Sequence, residues 1–218
     1  TGTRNMEEMG GLIKRMPWTA ACFLAGSAAI AALPPFNGFV SEWLTFMALL
    51  QNTRIAQPAL NLVFALGIAG LALTSGLAMA CFVKAFGITF LALPRSEAAA
   101  RAHEAPVAMR AAMVALAFGC LALGLGPTLV VPALLAVAAP LLGARTPVAI
   151  GDWLTLNISG DFASLSTLAI AVVLALALAA PLVLLRLAGA SRRRRLSETW
   201  GCGRILQTAR MEYTATAF

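Results

Sequence analysis

Two ionisable residues, Glu42 and Lys84, stand inside long apolar stretches of the chain. A charge near the centre of a bilayer costs between about 2.5 and more than 10 kcal/mol, so it seldom occurs without a partner, water or a function. Counting from the nearest polar breaks, at Pro34 and Leu93, puts each residue roughly 12 to 14 Å deep at about 1.5 Å per helical residue. An acid and a base at matched depth on neighbouring antiparallel helices could form a buried pair that hands on a proton.

Each member of this pair also has a simpler interpretation. Lys84 has a long aliphatic stem and could extend its ammonium group to the headgroup region. Glu42 follows a stretch of irregular backbone that admits water, so it could be an incidental buried carboxylate. Side chains near the two charges could hold a chain of water or serve only in helix packing, and these are Asn37, Ser41, Thr45, Thr74 and Ser75.

The composition identifies the solvent around these charges. Of 218 residues, 60% are apolar and 11% are charged, and the mean hydropathy is +0.85. Such a chain belongs in a membrane, which excludes a soluble catalytic core. The formal net charge of +7 comes mainly from connectors and the tail, where membrane topology explains it better than nucleic-acid binding.

Nothing in the sequence predicts a metal or a redox cofactor. The four cysteines, Cys22, Cys81, Cys120 and Cys202, are scattered, and no two have the Cys-x-x-Cys spacing of a metal or redox site. The single histidine, His103, lies in a polar connector with no second ligand nearby. We therefore interpret the cysteines as packing residues and predict no cofactor.

Hydropathy predicts an all-α, polytopic transmembrane helix bundle of about five crossings. The backbone must open at Pro34 to Gly38, because two prolines followed by Asn-Gly cannot continue a regular helix. A second break at Gly124 to Pro127 makes residues 128–142 a broken extension, interrupted again at Pro132 and Pro140. The expected crossings are residues 17–33, 39–50, 59–93, 107–126 and 164–187. Residues 1–188 then form the transmembrane domain and residues 189–218 a basic tail.

The distribution of Lys and Arg predicts the orientation. Five crossings place residues 1–16, 51–58 and 144–163 on one side of the membrane, and residues 94–106 with the tail on the other. The second side holds most of the basic residues, including the run Arg192 to Arg195. The positive-inside rule then puts the tail in the cytoplasm and residues 1–16 outside, with the turn at Pro34 facing the cytoplasm.

Several blocks of the sequence carry a family signature. They are Met-Gly-Gly-Leu at 9–12, Lys-Arg-Met-Pro at 14–17, Pro-Pro-Phe-Asn-Gly-Phe-Val-Ser-Glu-Trp at 34–43, Thr-Trp-Gly-Cys-Gly at 199–203 and Arg-Met-Glu-Tyr-Thr-Ala-Thr-Ala-Phe at 210–218. They resemble the antiporter-like proton-translocating subunits shared by respiratory complex I, cation/proton antiporters and membrane-bound hydrogenases. The sequences of the 34–43 block and of the tail most resemble those of the branch that contains hydrogenase-4 component B and formate hydrogenlyase subunit 3.

The resemblance implies a membrane subunit of a hydrogenase or related respiratory oxidoreductase, itself non-catalytic, that couples electron transfer elsewhere to proton translocation. Glu42 matches the charged residue on the broken helix and would be the gating carboxylate, with Lys84 on the next helix. Its partners would be other membrane and peripheral subunits and the lipid of a bacterial-type inner membrane, with no nucleic acid. The alternatives are a cation/proton antiporter subunit and a purely structural scaffold. The chain opens at Thr1 without an initiator Met, so we expect the C-terminal part of a longer subunit.

Overall fold

The computed structural model describes residues 1–51, 57–143, 148–152, 155–158, 163–189, 213–214 and 216. The helices are α1 Pro17–Ile30, α2 Asn37–Leu50, α3 Pro58–Phe90, α4 Glu97–Ala100, α5 Val107–Leu125, α6 Pro127–Leu142 and α7 Thr167–Leu187. Two short 3-10 turns, Met6–Glu8 and Leu12–Lys14, precede α1. Three short strands, β1 Val148–Asp152, β2 Thr155–Ile158 and β3 Ala163–Leu165, form a small antiparallel sheet in the order β1-β2-β3.

Among the described residues, three helices are long and apolar enough to cross a membrane by themselves: α3, α5 and α7. Helix α3 has 33 residues, which corresponds to about 50 Å at 1.5 Å per residue and exceeds the hydrocarbon thickness of about 30 Å. Helices α3 and α7 have apolar side chains on all faces and bury almost none of them within this chain. That pattern is typical of helices surrounded by lipid or by other membrane segments. The predicted all-α membrane bundle is confirmed.

Helix α1 ends in a motif that turns the chain without a glycine. Ala32 has a φ of 52°, in the left-handed region. The N–H of Leu33 donates to the carbonyl of Ala28 at 2.9 Å, and the N–H of Ala32 donates to the carbonyl of Ala29 at 3.3 Å. These two bonds define a Schellman motif, in which glycine normally occupies the position of Ala32. The predicted break is confirmed, but it covers residues 31–36 and begins with this motif, while Asn37 and Gly38 already belong to the first turn of α2.

Helices α1 and α2 run in the same direction along α3 and form one discontinuous crossing. As residue numbers rise along α1 and α2, their partners on α3 fall. The contacts join Gly11 to Leu91, Phe23 to Phe86 and Phe90, Glu42 to Ser75, and Leu49 to Gly67. From Leu91 back to Gly67, α3 rises by about 36 Å, enough to cross the hydrocarbon.

This arrangement corrects the expectation that residues 17–33 and 39–50 are two crossings joined by a cytoplasmic turn. A reversal at Pro34 would have brought α2 back along α1. Instead α2 continues past the break, so the break lies within the membrane layer. The chain therefore makes one crossing before α3 and not two, so the segments after α2 lie on the opposite side from the predicted one, relative to residues 1–16.

The predicted separation of residues 1–16 from residues 94–106 is also wrong, because the two segments are joined by hydrogen bonds. The Ser96 hydroxyl donates to the Glu8 carbonyl at 2.7 Å, and the Arg95 guanidinium donates to the Met9 carbonyl at 2.9 Å. A small buried core lies at the same end and consists of Leu12, Ala20, Phe90, Ala99 and Ala102. The end of α3, the start of α1 and the start of α5 thus share one side of the membrane.

The remaining elements follow the sequence less closely. Helix α6 is continuous through Pro132 and Pro140, because in an apolar setting neighbouring groups and local adjustments tolerate the missing hydrogen bonds. The predicted connector at 144–163 contains β1 and β2, and β3 overlaps the predicted start of the last crossing at residue 164. Cys202 lies outside the described residues. Most of the tail, including Arg192 to Arg195, lies outside them as well.

Candidate functional site

Glu42 lies in the second turn of α2, and its side chain reaches a cavity at the break. The cavity has a volume of about 640 Å³ and is lined by α1, the break, α2, α3 and one residue of α5, Cys120. The Ser75 hydroxyl on α3 donates to Oε1 of Glu42. Glu42 is the only acidic or basic side chain among the described residues that line this cavity. The arrangement gives a carboxyl group one fixed hydrogen-bond partner and an adjoining polar space.

The other polar side chains predicted near Glu42 also line this cavity: Asn37, Ser41, Thr45 and Thr74. Each hydroxyl among them donates to a backbone carbonyl of its own helix, at 2.9 Å for Ser41 to Gly38 and for Thr45 to Ser41, and at 2.8 Å for Thr74 to Leu71. Such bonds satisfy a hydroxyl locally. Of the predicted hydroxyls, Ser75 is therefore the one that the structure brings to the carboxylate.

Lys84 lies on the same helix as Ser75 but lines a different cavity. This second cavity, of about 550 Å³, lies towards the end of α3 and includes Arg95 and Tyr213 in its lining. The Lys84 ammonium lies 5.6 Å from the centre of the Tyr213 ring, within the range of a cation–π contact. Arg95 holds the same tail residue by donating to the Tyr213 carbonyl at 3.2 Å.

The structure does not bring Glu42 and Lys84 into one site. Ser75, which contacts Glu42, and Lys84 are nine positions apart on α3. That spacing corresponds to about 13 Å along the helix axis. The predicted depths of the two residues match only if Pro34 lies at the membrane surface. Because the break lies inside the membrane, Glu42 is level with Ser75, about 24 Å along the axis from Leu91.

Two glycines hold the break in place by letting backbones touch. A Cβ on Gly38 would overlap the Ala29 carbonyl oxygen, so the first turn of α2 packs directly on the last turn of α1. A Cβ on Gly124 would overlap the Pro35 carbonyl oxygen and lie 2.7 Å from the Asn37 nitrogen. The end of α5 is thus pressed against the break. From the sequence, Gly124 is expected only as part of a second break, and its packing role against the first break was not predicted.

The start of α1 is capped from a distant part of the chain. Glu104 accepts hydrogen bonds from the Trp18 N–H at 2.8 Å and from the Thr19 hydroxyl at 2.6 Å. Partial desolvation raises the pKa of Glu104, but the bonds from the Thr19 hydroxyl and from the N–H groups of Ala105 and Trp18 outweigh it, so the pKa is held below its ordinary value. A carboxylate at a helix N-terminus is also stabilised by the positive end of the helix dipole. No local sequence signal predicts this cap, since the partners are 85 and 86 residues apart.

Within the part of the chain that the structure describes, no group of three or more His, Cys, Asp or Glu residues could hold a metal ion. The described cysteines, Cys22, Cys81 and Cys120, are free thiols. The chemistry that the cavity offers is therefore that of one carboxyl group and several hydroxyls, which can exchange and relay protons.

The fold and the cavity define a polytopic helical membrane protein with a discontinuous helix that carries a carboxyl group. Comparisons with known proteins identify the family. Residues 1–68 match the family model described as NADH:quinone oxidoreductase/Mrp antiporter, TM. The chain is 40% identical over 204 residues to hydrogenase-4 component B of Escherichia coli (strain K12), covering 92% of this chain and 30% of that protein.

Two further similarities agree with this match. The chain is 39% identical over 149 residues to formate hydrogenlyase subunit 3 of the same strain, covering 68% of this chain and 24% of that protein. A chain in the structure of the membrane-bound sulfane sulfur reductase, an archaeal respiratory membrane complex, aligns with a TM-score of 0.72 at 24% identity. That alignment covers 99% of this chain and 32% of the other, and it supports the fold.

The chain is similar to the antiporter-like family of membrane subunits, as the resemblance predicted. It spans about a third of the length of hydrogenase-4 component B and a quarter of that of formate hydrogenlyase subunit 3.

Proposed function

We propose that this chain is part of a membrane subunit that translocates protons within a hydrogenase-type or respiratory redox complex, with Glu42 as the carboxyl group that loads and releases the proton. The observation that carries the proposal is the position of Glu42: a carboxyl group on a broken helix, bonded to Ser75 and facing a cavity that both polar and apolar side chains line. A charge at that depth is costly, so it is rarely retained without a function. The names of the relatives, a hydrogenase component and a formate hydrogenlyase subunit, support the type of complex.

Lys84 takes a separate role in this proposal. Its ammonium lies in the second cavity, near the side where residues 1–16 meet residues 91–106. We assign it as a second protonatable station on α3, nearer the membrane surface than Glu42. A direct ion pair between the two is not part of the proposal, since they line different cavities.

The same end of the bundle is proposed to face the cytoplasm. It carries a cluster of basic residues: Arg4, Lys14, Arg15, Arg95, Arg101 and Arg110. The connector between α2 and α3 at the opposite end, residues 51–58, has one basic residue in its sequence, Arg54. Under the positive-inside rule this charge difference puts the joined surface inside the cell. The described tail residues reach that surface too, where the Thr216 N–H donates to Glu7 at 2.6 Å, so the tail is cytoplasmic in this proposal.

A cation/proton antiporter subunit is the second candidate. The matched family model includes Mrp antiporters as well as NADH:quinone oxidoreductases, and the same carboxyl group could serve either. The two candidates differ in what drives the proton, a redox reaction or a sodium or potassium gradient.

The test replaces Glu42 by Gln in the full-length subunit within its complete complex. Glutamine is nearly isosteric and keeps an acceptor for Ser75, but it cannot carry a proton at neutral pH. Proton movement into sealed vesicles, followed with a pH-sensitive dye after addition of the redox substrate, should be abolished while the complex still assembles. In the wild-type complex, proton movement that is driven by a sodium or potassium gradient and not by the redox substrate would favour the antiporter. Unaltered proton movement with both driving forces would reject the role of Glu42 and leave a structural scaffold.

A further inference from the structure

The Ser75 hydroxyl has two acceptors within reach. Its oxygen lies 2.8 Å from the Leu71 carbonyl oxygen, one turn earlier on α3, and it also contacts Oε1 of Glu42. A hydroxyl carries a single hydrogen and can donate to only one of these oxygens at a time. The Leu71 carbonyl has no hydrogen to give. Both contacts can be hydrogen bonds together only when Glu42 is protonated and donates to the Ser75 oxygen.

We propose that Ser75 is a positioning residue that serves both protonation states of Glu42 by rotating its hydroxyl. When Glu42 is protonated, its O–H donates to Ser75 and the Ser75 hydroxyl donates to Leu71. When the proton has left for the cavity, the Ser75 hydroxyl turns and donates to the carboxylate. The proton that moves is the one on the carboxyl group, and Ser75 keeps its own hydrogen throughout. The inference rests on the proposed role of Glu42.

The Leu71 carbonyl is built to release Ser75 at little cost. It also accepts a bond from the Thr74 hydroxyl at 2.8 Å, and as a residue within α3 it is the regular helical acceptor for the N–H of Ser75. When the Ser75 hydroxyl turns away, this carbonyl still has two donors. Rotation therefore leaves no acceptor unsatisfied, which would otherwise be costly in a partly buried site.

Thr45 is a matched control within the same cavity. Its hydroxyl lines the same space, but it donates to the Ser41 carbonyl of its own helix and makes no described contact with Glu42. Replacing Thr45 by Val removes a cavity hydroxyl without touching the rotating one. Replacing Ser75 by Thr keeps the hydroxyl on the same backbone position and serves as the conservative variant.

The experiment uses the complete complex containing the full-length chain. Proton translocation is measured as a function of pH in wild type, Ser75→Ala, Ser75→Thr and Thr45→Val, and infrared difference spectra record the carboxylic acid C=O band, assigned by its loss in Glu42→Gln. Ser75→Ala should translocate about tenfold more slowly, since Glu42 loses its hydrogen-bond partner in both protonation states. Its C=O band should rise in frequency, because the acid loses its acceptor. Ser75→Thr should restore rate and band, and Thr45→Val should leave the C=O band of Glu42 at its wild-type frequency.

Two outcomes would overturn the inference. They are a wild-type rate and band in Ser75→Ala, or failure of Ser75→Thr to restore them. Glu42→Gln separates these results from failure of the proposed function. If that variant still translocates protons, the role of Glu42 fails; if it stops while Ser75→Ala is unaffected, only the role of Ser75 fails.

Discussion

The contact between Gly124 and the break gives a prediction whose size can be worked out. In Gly124→Ala the new Cβ would overlap the Pro35 carbonyl oxygen and lie 2.5 Å from the Phe36 carbonyl carbon, and both are backbone atoms that cannot turn aside. Relief to an ordinary contact requires α5 to move by about 1 Å relative to the break. Overpacking of this kind costs about 1–3 kcal/mol in a well-packed site.

Gly119 provides the control, because it lies on the same helix and a Cβ there would meet nothing within 4 Å. Both substitutions gain helix propensity, up to about 1 kcal/mol each, so the difference between them isolates the packing cost. We expect Gly124→Ala to unfold at a lower temperature than Gly119→Ala, measured by tryptophan fluorescence on the full-length subunit in detergent. Proton translocation should fall only in Gly124→Ala, since the shift also displaces the first turn of α2. Equal unfolding temperatures and equal translocation would refute the packing argument.

Two further predictions concern the polar end of the bundle. Glu104→Gln should lower the unfolding temperature at neutral pH. The difference from wild type should disappear as the pH falls through the lowered pKa of Glu104, because the stability that a lowered carboxyl pKa contributes is present above the ordinary pKa and is lost as the carboxylate is protonated. A difference independent of pH would contradict the cap, and Glu97→Gln, which removes only an exposed i,i+4 ion pair, should change little. Single cysteines that replace Glu8 and His103 should react with an impermeant maleimide added at the cytoplasmic face, and a cysteine that replaces Gln57 should react only at the opposite face. Labelling of positions 8 and 103 from opposite faces would contradict the hydrogen bonds that join their segments.

Hydropathy and turn chemistry predicted the helices well, because both depend on local residues. The segment predicted at 59–93 is α3 at Pro58–Phe90, and the break at Gly124 to Pro127 separates α5 from α6. The break at Pro34 was predicted correctly from the two prolines, which prevent a regular helix, but the predicted role of Asn37 and Gly38 was wrong, since both are helical. Its direction was not predictable locally. A reversal and a continuation both need an opened backbone, and only the contacts with α3 distinguish them.

In the candidate site too, some features follow from a single residue and others depend on how the helices pack. The cost of a buried charge is a property of the residue, so Glu42 stood out in the sequence. The choice among Ser41, Thr45, Thr74 and Ser75 depends on how α2 and α3 face each other, and the sequence left it open. Glu104 could not be found at all, because its partners on α1 are distant in sequence.

The break also has an electrical consequence. In an uninterrupted helix the peptide dipoles line up head to tail, and unsatisfied partial charges remain only at its two ends. Dividing this crossing at Ala31 to Phe36 creates two additional ends, a negative one where α1 stops and a positive one where α2 begins, each equivalent to about half an elementary charge. They lie beside the cavity that holds Glu42. Water entering that space meets a standing electric field that is set by the backbone and persists whether or not any side chain is ionised.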